Sequence, residues 1–429
     1  MKINNFNIFE QNKHFDEGFF YDVYRRRIEE SILNTVEDKR IIAVLGLRRI
    51  GKTHLLKSII NQLINFNIPR KNIMYFSFDK FGAYRGDAIR DCIDQYLGEF
   101  HSTNLDIIKE KEKYFFFLDE VQKVPFFNSN IKAIYDFHPN FKFFISGSSS
   151  YNIRKDQNET LAGRIIDIKM KPLDWQEFIE IRDRVKYPAI DFLGEVINSN
   201  NINADHNIYK RPKVQLIDFL RNKDIIEAIS INNNSYISES IVPKILDREL
   251  IVSSTGKDNV NFFNLAPVIF NYNGKILNQR RLVDQGIGSK YQISSALELG
   301  EKLFFWKILK GKQKDKIYTS STSIAFNIQT DKNIGLDVDG LLFENKVFQK
   351  LSTYSNELTY YNERNNEIDF ILGQEIGIEC KLGDLGKLTT YINSAEKLNL
   401  KKLIFIGQDY VKYEKKNNLD IWVLPWWMV

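Results

Sequence analysis

Eight consecutive residues, Gly46-Leu47-Arg48-Arg49-Ile50-Gly51-Lys52-Thr53, have the types and spacing needed to hold a chain of phosphates. Glycine lets backbone N–H groups wrap closely around phosphate oxygens. Lys52 brings positive charge to the β and γ phosphates, and the Thr53 hydroxyl can complete the shell of a Mg²⁺ ion. His54 follows directly and belongs to the same candidate ATP-binding stretch. A second set, Asp119-Glu120, ends the apolar run 114–118. Asp119 is expected to hold Mg²⁺ through water, and Glu120 to polarise the attacking water. The doubled acid argues against small-molecule kinases and signalling GTPases. Ser146 ends the run 141–145 and is followed by Gly147-Ser148-Ser149. It either senses the γ-phosphate and positions water, or belongs to a plain turn. Arg164, in Leu161-Ala162-Gly163-Arg164, is a candidate for stabilising transition-state charge, in cis or toward a neighbouring subunit. Its alternative is a surface arginine before a strand.

These residues need a scaffold. Ile41–Leu45, 73–78, 114–118 and 141–145 are short apolar runs bounded by polar residues or glycine, which reads as buried parallel strands. Leu55, Leu56, Ile59, Ile60 and Leu63 recur at helical spacing between the first two. The alternation predicts an α/β fold, a P-loop NTPase parallel sheet with helices on both faces. Residues 46–53 then join a strand to a helix whose positive dipole end faces the phosphates. The acids emerge at a C-terminal strand end, where sheet ligands bind.

A chain of 429 residues implies about two to four domains. It has 43% hydrophobic residues, enough for substantial cores, and 32 Phe, so aromatic packing should be heavy. No run of about 18 apolar residues occurs, so no transmembrane helix and no membrane partner are expected. Met1-Lys2-Ile3-Asn4-Asn5 lacks the apolar stretch of a signal peptide. The two cysteines, Cys92 and Cys380, make no disulfide framework, and the five histidines show no ligand spacing. A reducing cytoplasm fits these features. The net charge of +5 permits nucleic-acid contact without demanding it.

Taken together, these residues resemble the prokaryotic AAA+-type ATPases of the archaeal-ATPase clade, whose C-terminal region has a restriction-endonuclease-like fold. The resemblance rests on residues 46–53, on 118–122 with Val124-Pro125, on Ser146-Gly147-Ser148, on 161–164, and on Pro172-Leu173 with Glu177-Phe178. It extends to Phe343-Glu344-Asn345, Glu367-Ile368-Asp369-Phe370 and Glu379-Cys380-Lys381. Two departures stand out. A Gly-Gly-x-Pro stretch common after the ATPase core is missing, with Asn-rich 190–235 in its place. Leu47 stands where the loop commonly has Pro.

The resemblance divides the chain into an ATPase core with its lead-in (1–171), a helical lid or linker (172–235), a winged-helix-like part (236–330) and a restriction-endonuclease-like part (331–429). Within the third, Leu277, Leu282 and Val283 are read as one helix face, Gly286-Ile287-Gly288 as a turn and 291–303 as the next helix. Lys307, Lys310, Lys312, Lys314 and Lys316 fall on wing-like strands, either as phosphate contacts or as a solvated face. In the fourth, a helix over 343–351 precedes strands over 367–372 and 375–382, turned at Gly373-Gln374. Asp369 and Glu379 on adjacent strands, with Glu344 from the helix, can bind a second Mg²⁺ or Mn²⁺. Lys381 shares the strand face of Glu379 and can orient water. This is the D…E-x-K arrangement of restriction-type nucleases.

Two readings follow. One is an ATP-regulated enzyme that cuts DNA or RNA. The other is a nucleotide switch whose trailing parts only bind protein or nucleic acid, with self-association through the ATPase core.

Overall fold

The computed structural model describes residues 7–79, 84–108, 112–147, 161–192, 194, 206–231, 235–244, 262–311, 314–328, 338–353, 357–363 and 366–429. Ser148, Ser149, Asn198 to Asn201, Asn232 to Asn234 and Lys312 lie outside them. The chain forms two compact units, 1–171 with 302–304, and 172–301 with 305–429.

In the first unit, the four apolar runs become strands because each can bury both faces, and a fifth, partly exposed strand joins them. They are β1 (Ile41–Leu45), β2 (Ile73–Ser77), β3 (Tyr114–Asp119), β4 (Phe141–Gly147) and the more exposed β5 (Ile165–Lys169). All five are parallel, in the order β2-β3-β4-β1-β5. This is a P-loop NTPase fold. Helix Lys52–Asn65 follows β1 and buries the expected face of Leu55, Leu56, Ile59, Ile60 and Leu63. Phe117 and Phe144 stack between β3 and β4 with centroids 4.5 Å apart.

Edge strand β2 would leave backbone groups unpaired. The lead-in covers it with side chains. Asn12 Nδ2 donates to the Tyr75 carbonyl at 2.8 Å, while Asn12 Oδ1 accepts from the Tyr75 N–H at 2.6 Å. Gln11 Oε1 accepts from the Ser77 N–H at 2.9 Å. A short helix, Ile28–Leu33, ends the lead-in before β1.

Buried His14 fixes the same segment. Its Nε2 lies 2.9 Å from the Ile73 carbonyl and its Nδ1 lies 2.9 Å from the Tyr21 hydroxyl. A carbonyl only accepts, so Nε2 carries the proton. Burial pushes the imidazole down to about 4.

The second unit holds two sheets. Strands β6 (Lys275–Leu277), β7 (Trp306–Leu309) and β8 (Asp315–Thr319) are antiparallel in the order β6-β8-β7. Helices Gln279–Asp284 and Lys290–Lys302 lie between β6 and β7 in the chain. Leu277 therefore belongs to a strand, and only Leu282 and Val283 to the helix assigned to all three. Gly300 is needed because a Cβ there would sit 1.9 Å from the Trp306 ring. The larger sheet runs β13 (Lys412–Lys416), β14 (Leu419–Pro425), β12 (Lys402–Gln408), β11 (Ile376–Cys380), β10 (Asn366–Leu372) and β9 (Leu358–Glu363). Strands β11, β12 and β14 are parallel, and the remaining pairings are antiparallel. Gly373 and Gln374 both adopt positive φ, 58° and 62°, in the turn between β10 and β11.

The folded His14 refuses a proton that the unfolded chain accepts near 6.5, so its contribution to stability is present above that pH and is lost as pH falls toward about 4. His14→Gln should therefore be less stable than wild type at pH 7.5, with the deficit shrinking at pH 5. Thermal melts at both pH values check this, and an unchanged deficit contradicts it.

Candidate functional site

Loop 46–51 can approach a ligand because its glycines adopt conformations closed to other residues. Gly46 has φ 152°, and a Cβ there would lie 2.5 Å from the Met170 carbonyl oxygen and 2.6 Å from Ile50 Cδ1. Gly51 has φ 96° and starts the 14-residue helix that carries Lys52, Thr53 and His54. Lys52 is buried and donates to the carbonyls of Gly46 at 3.0 Å and Leu47 at 2.8 Å. The loop is thus folded over its own lysine. Arg48 stands 4.0 Å from Asp79, which also pairs with Lys123 at 3.4 Å. His54 is exposed on the first turn of the helix.

Asp119 is only 2% exposed, and three hydroxyls from three elements hold it. Thr53 Oγ1 donates to Oδ2 at 2.6 Å, Tyr75 OH donates to the same oxygen at 2.9 Å, and Ser146 Oγ donates to Oδ1. Burial and the neighbouring carboxylate push the Tyr75 phenol well above its ordinary range, so it stays a donor. The arrangement follows from strand order. β3 lies between β2 and β4, so both neighbours present polar side chains to its tip. Ser146 also accepts from the Glu120 N–H at 3.3 Å. Glu120 itself takes a left-handed conformation, φ 57°, beyond the strand end, and its Oε2 accepts from Gln122 Nε2. A cavity of about 520 Å³ reaches Thr53, Asp119 and Glu120, with Tyr21 and Tyr75 on its wall.

Lys52, Thr53, Asp119, Glu120 and Ser146 therefore come together as the sequence suggests. Arg164 does not join them. Its carbonyl accepts from the Ile41 N–H at 2.8 Å, and it precedes β5, so it lies at the N-terminal end of the sheet. Strand β1 puts about 16 Å between that end and the loop. The guanidinium pairs with Asp136 at 2.8 Å. Tyr75 and Gln122 join the site through contacts with Asp119 and Glu120 that residue order alone does not mark. Tyr75 carries a weak signal, a polar side chain late in the strand beside the acid strand.

The second unit gathers Glu344, Asp369, Glu379 and Lys381. The register that pairs Phe370 with Ile378 brings Asp369 opposite Glu379. Asp369 Oδ2 accepts from the Cys380 N–H at 2.9 Å, and Glu379 Oε2 accepts from the Asp369 N–H at 3.2 Å. Lys381 Nζ reaches Glu379 Oε1 at 2.8 Å. Helix Val338–Leu351 presents Glu344, and the same helix is anchored through Lys346, whose Nζ donates at 2.8 Å to fully buried Asp224. Burial, with the Asp369 carboxylate adding to it, pushes Glu344 up to about 7 and Glu379 up to about 8.

Lys316, read as a wing lysine, is 2% exposed and stands inside this cluster. Its Nζ lies 2.6 Å from Glu367, 3.2 Å from Glu344 and 3.9 Å from Asp369. It is not a phosphate contact. An ammonium among the carboxylates does not fit a divalent ion there, and no group of three or more His, Cys, Asp or Glu among the described residues is placed to hold a metal. Thr53 and Asp119, two hard oxygen donors side by side at a strand tip, do fit Mg²⁺.

Residues 38–179 match the family model of an AAA domain. The match spans the whole five-stranded sheet. Two uncharacterized proteins of Methanocaldococcus jannaschii are similar over much of the chain. MJ1637 is 25% identical over 97% of this chain and 89% of its own length, and MJ1544 is 25% identical over 78% and 72%. Among solved structures, Cdc6p from Pyrobaculum aerophilum superposes with a TM-score of 0.32 at 13% identity, covering 79% of this chain and 98% of that one. No helix among the described residues is long and apolar enough to cross a membrane.

Removing a hydroxyl from Asp119 leaves a buried carboxylate short of a donor. Tyr75→Phe and Ser146→Ala should each lower stability by about 1–3 kcal/mol. Urea denaturation of the first unit measures this, and a loss near zero for both would contradict the hub.

Proposed function

We propose that this chain binds ATP with Mg²⁺ in the AAA-type unit and hydrolyses it. The observation that carries the reading is the Thr53–Asp119 hydrogen bond beside Lys52 at the start of a 14-residue helix. Loop N–H groups and the helix start would bind the phosphates. Lys52 would exchange two loop carbonyls for phosphate oxygens. Thr53 and Asp119 would hold Mg²⁺, which neutralises charge on the β and γ phosphates. Glu120, steadied by Gln122 and by its own N–H on Ser146, would orient and deprotonate the attacking water. Arg164 remains available only to a neighbouring copy, which is our reading of self-association.

The trailing unit would act with nucleic acid. Lys307, Lys310 and Lys314 are exposed on or beside β7 and β8 and supply charge for phosphate contact. Lys316 among the acids favours binding of DNA or RNA over cutting it.

Lys52→Ala should lose ATP binding. Glu120→Gln should keep binding and slow phosphate release by about 100-fold or more. Equilibrium binding and phosphate-release assays, with and without added DNA or RNA, test this. Normal turnover in Glu120→Gln would sink the assignment of the base.

A further inference from the structure

Strand β8 alternates its side chains, so Lys316 and Tyr318 project from the same face. Both land on one carboxylate oxygen, Glu344 Oε1, with Tyr318 OH at 2.6 Å and Lys316 Nζ at 3.2 Å. The same Nζ reaches Glu367 and Asp369, and lies 5.1 Å from the centre of the Tyr360 ring. One ammonium thus answers three carboxylates from a helix and a strand. Lys381 answers the fourth, Glu379. The cluster borders a cavity of about 920 Å³ that also reaches Lys275 and Lys387, so its surroundings are accessible while the lysine itself is buried.

We propose that Lys316 is a tethered cation that fills the Glu344–Glu367–Asp369 cluster, beside Glu379, in place of a divalent metal. A buried charge persists only when paired. The acids satisfy the lysine and the lysine satisfies the acids. A divalent ion bonded to the same oxygens would stand against an ammonium that cannot leave by diffusion. This holds whether or not the ATP reading does.

Mn²⁺ binding to the nucleotide-free full chain tests it, read from the loss of the free-ion electron paramagnetic resonance signal. All chains carry Asp119→Asn, which removes the strand-tip carboxylate. The otherwise unaltered chain and its Asp369→Asn derivative should bind equal amounts of Mn²⁺. Lys316→Met should gain one site, at least tenfold tighter than any residual binding, and adding Asp369→Asn should abolish it. If Lys316→Met does not fold, the charge-balanced pair Lys316→Gln with Glu367→Gln takes its place. A site in the chain with Lys316 intact that Asp369→Asn removes would overturn the proposal. So would a folded Lys316 variant that gains no site.

Discussion

A carboxylate taken out of water has to be met by donors, and the first unit is built around meeting one. Asp119 is almost wholly buried, yet three hydroxyls reach it from a helix and from the strands on either side. That requirement couples the elements. Thr53 can donate only if the loop delivers the start of its helix beside the tip of β3. Tyr75 can donate only if β2 is held at the sheet edge, which Asn12, Gln11 and His14 accomplish from the lead-in. Ser146 can donate only because β4 lies between the loop strand and the acid strand. The strand order is therefore tied to the chemistry through one side chain.

Lys52 shows the same logic from the other sign. A buried ammonium needs acceptors, and it finds them on Gly46 and Leu47. Those bonds hold the loop folded around it and define what a phosphate must displace.

Much of this could be read from residue order. The apolar runs at 114–118 and 141–145 are buried on both faces, so their pattern marks them as strands without knowledge of partners. The loop glycines and the paired acids are local signals too. What escaped depends on contacts distant in the chain. Tyr75 is 44 residues from Asp119, and its value lies in strand adjacency, which no local pattern encodes. Arg164 lies just before β5, and only the parallel register with β1 places it at the far end of the sheet from the loop. By sequence Lys316 reads with its neighbours as a phosphate contact or a solvated lysine. Its strand does alternate, but which face is buried depends on the helix and the strand that pack against it. The pairing of Asp369 with Glu379 was legible because a short turn sets the register of a hairpin. The cation beside Asp369 and Glu344 comes from another sheet.

A crystal structure with Mg²⁺ and a slowly hydrolysed ATP analogue tests the central claim most directly. The account predicts Lys52 Nζ off the Gly46 and Leu47 carbonyls and on a phosphate oxygen, with the metal beside Thr53 and Asp119. A nucleotide seated elsewhere, with those lysine bonds intact, would contradict it.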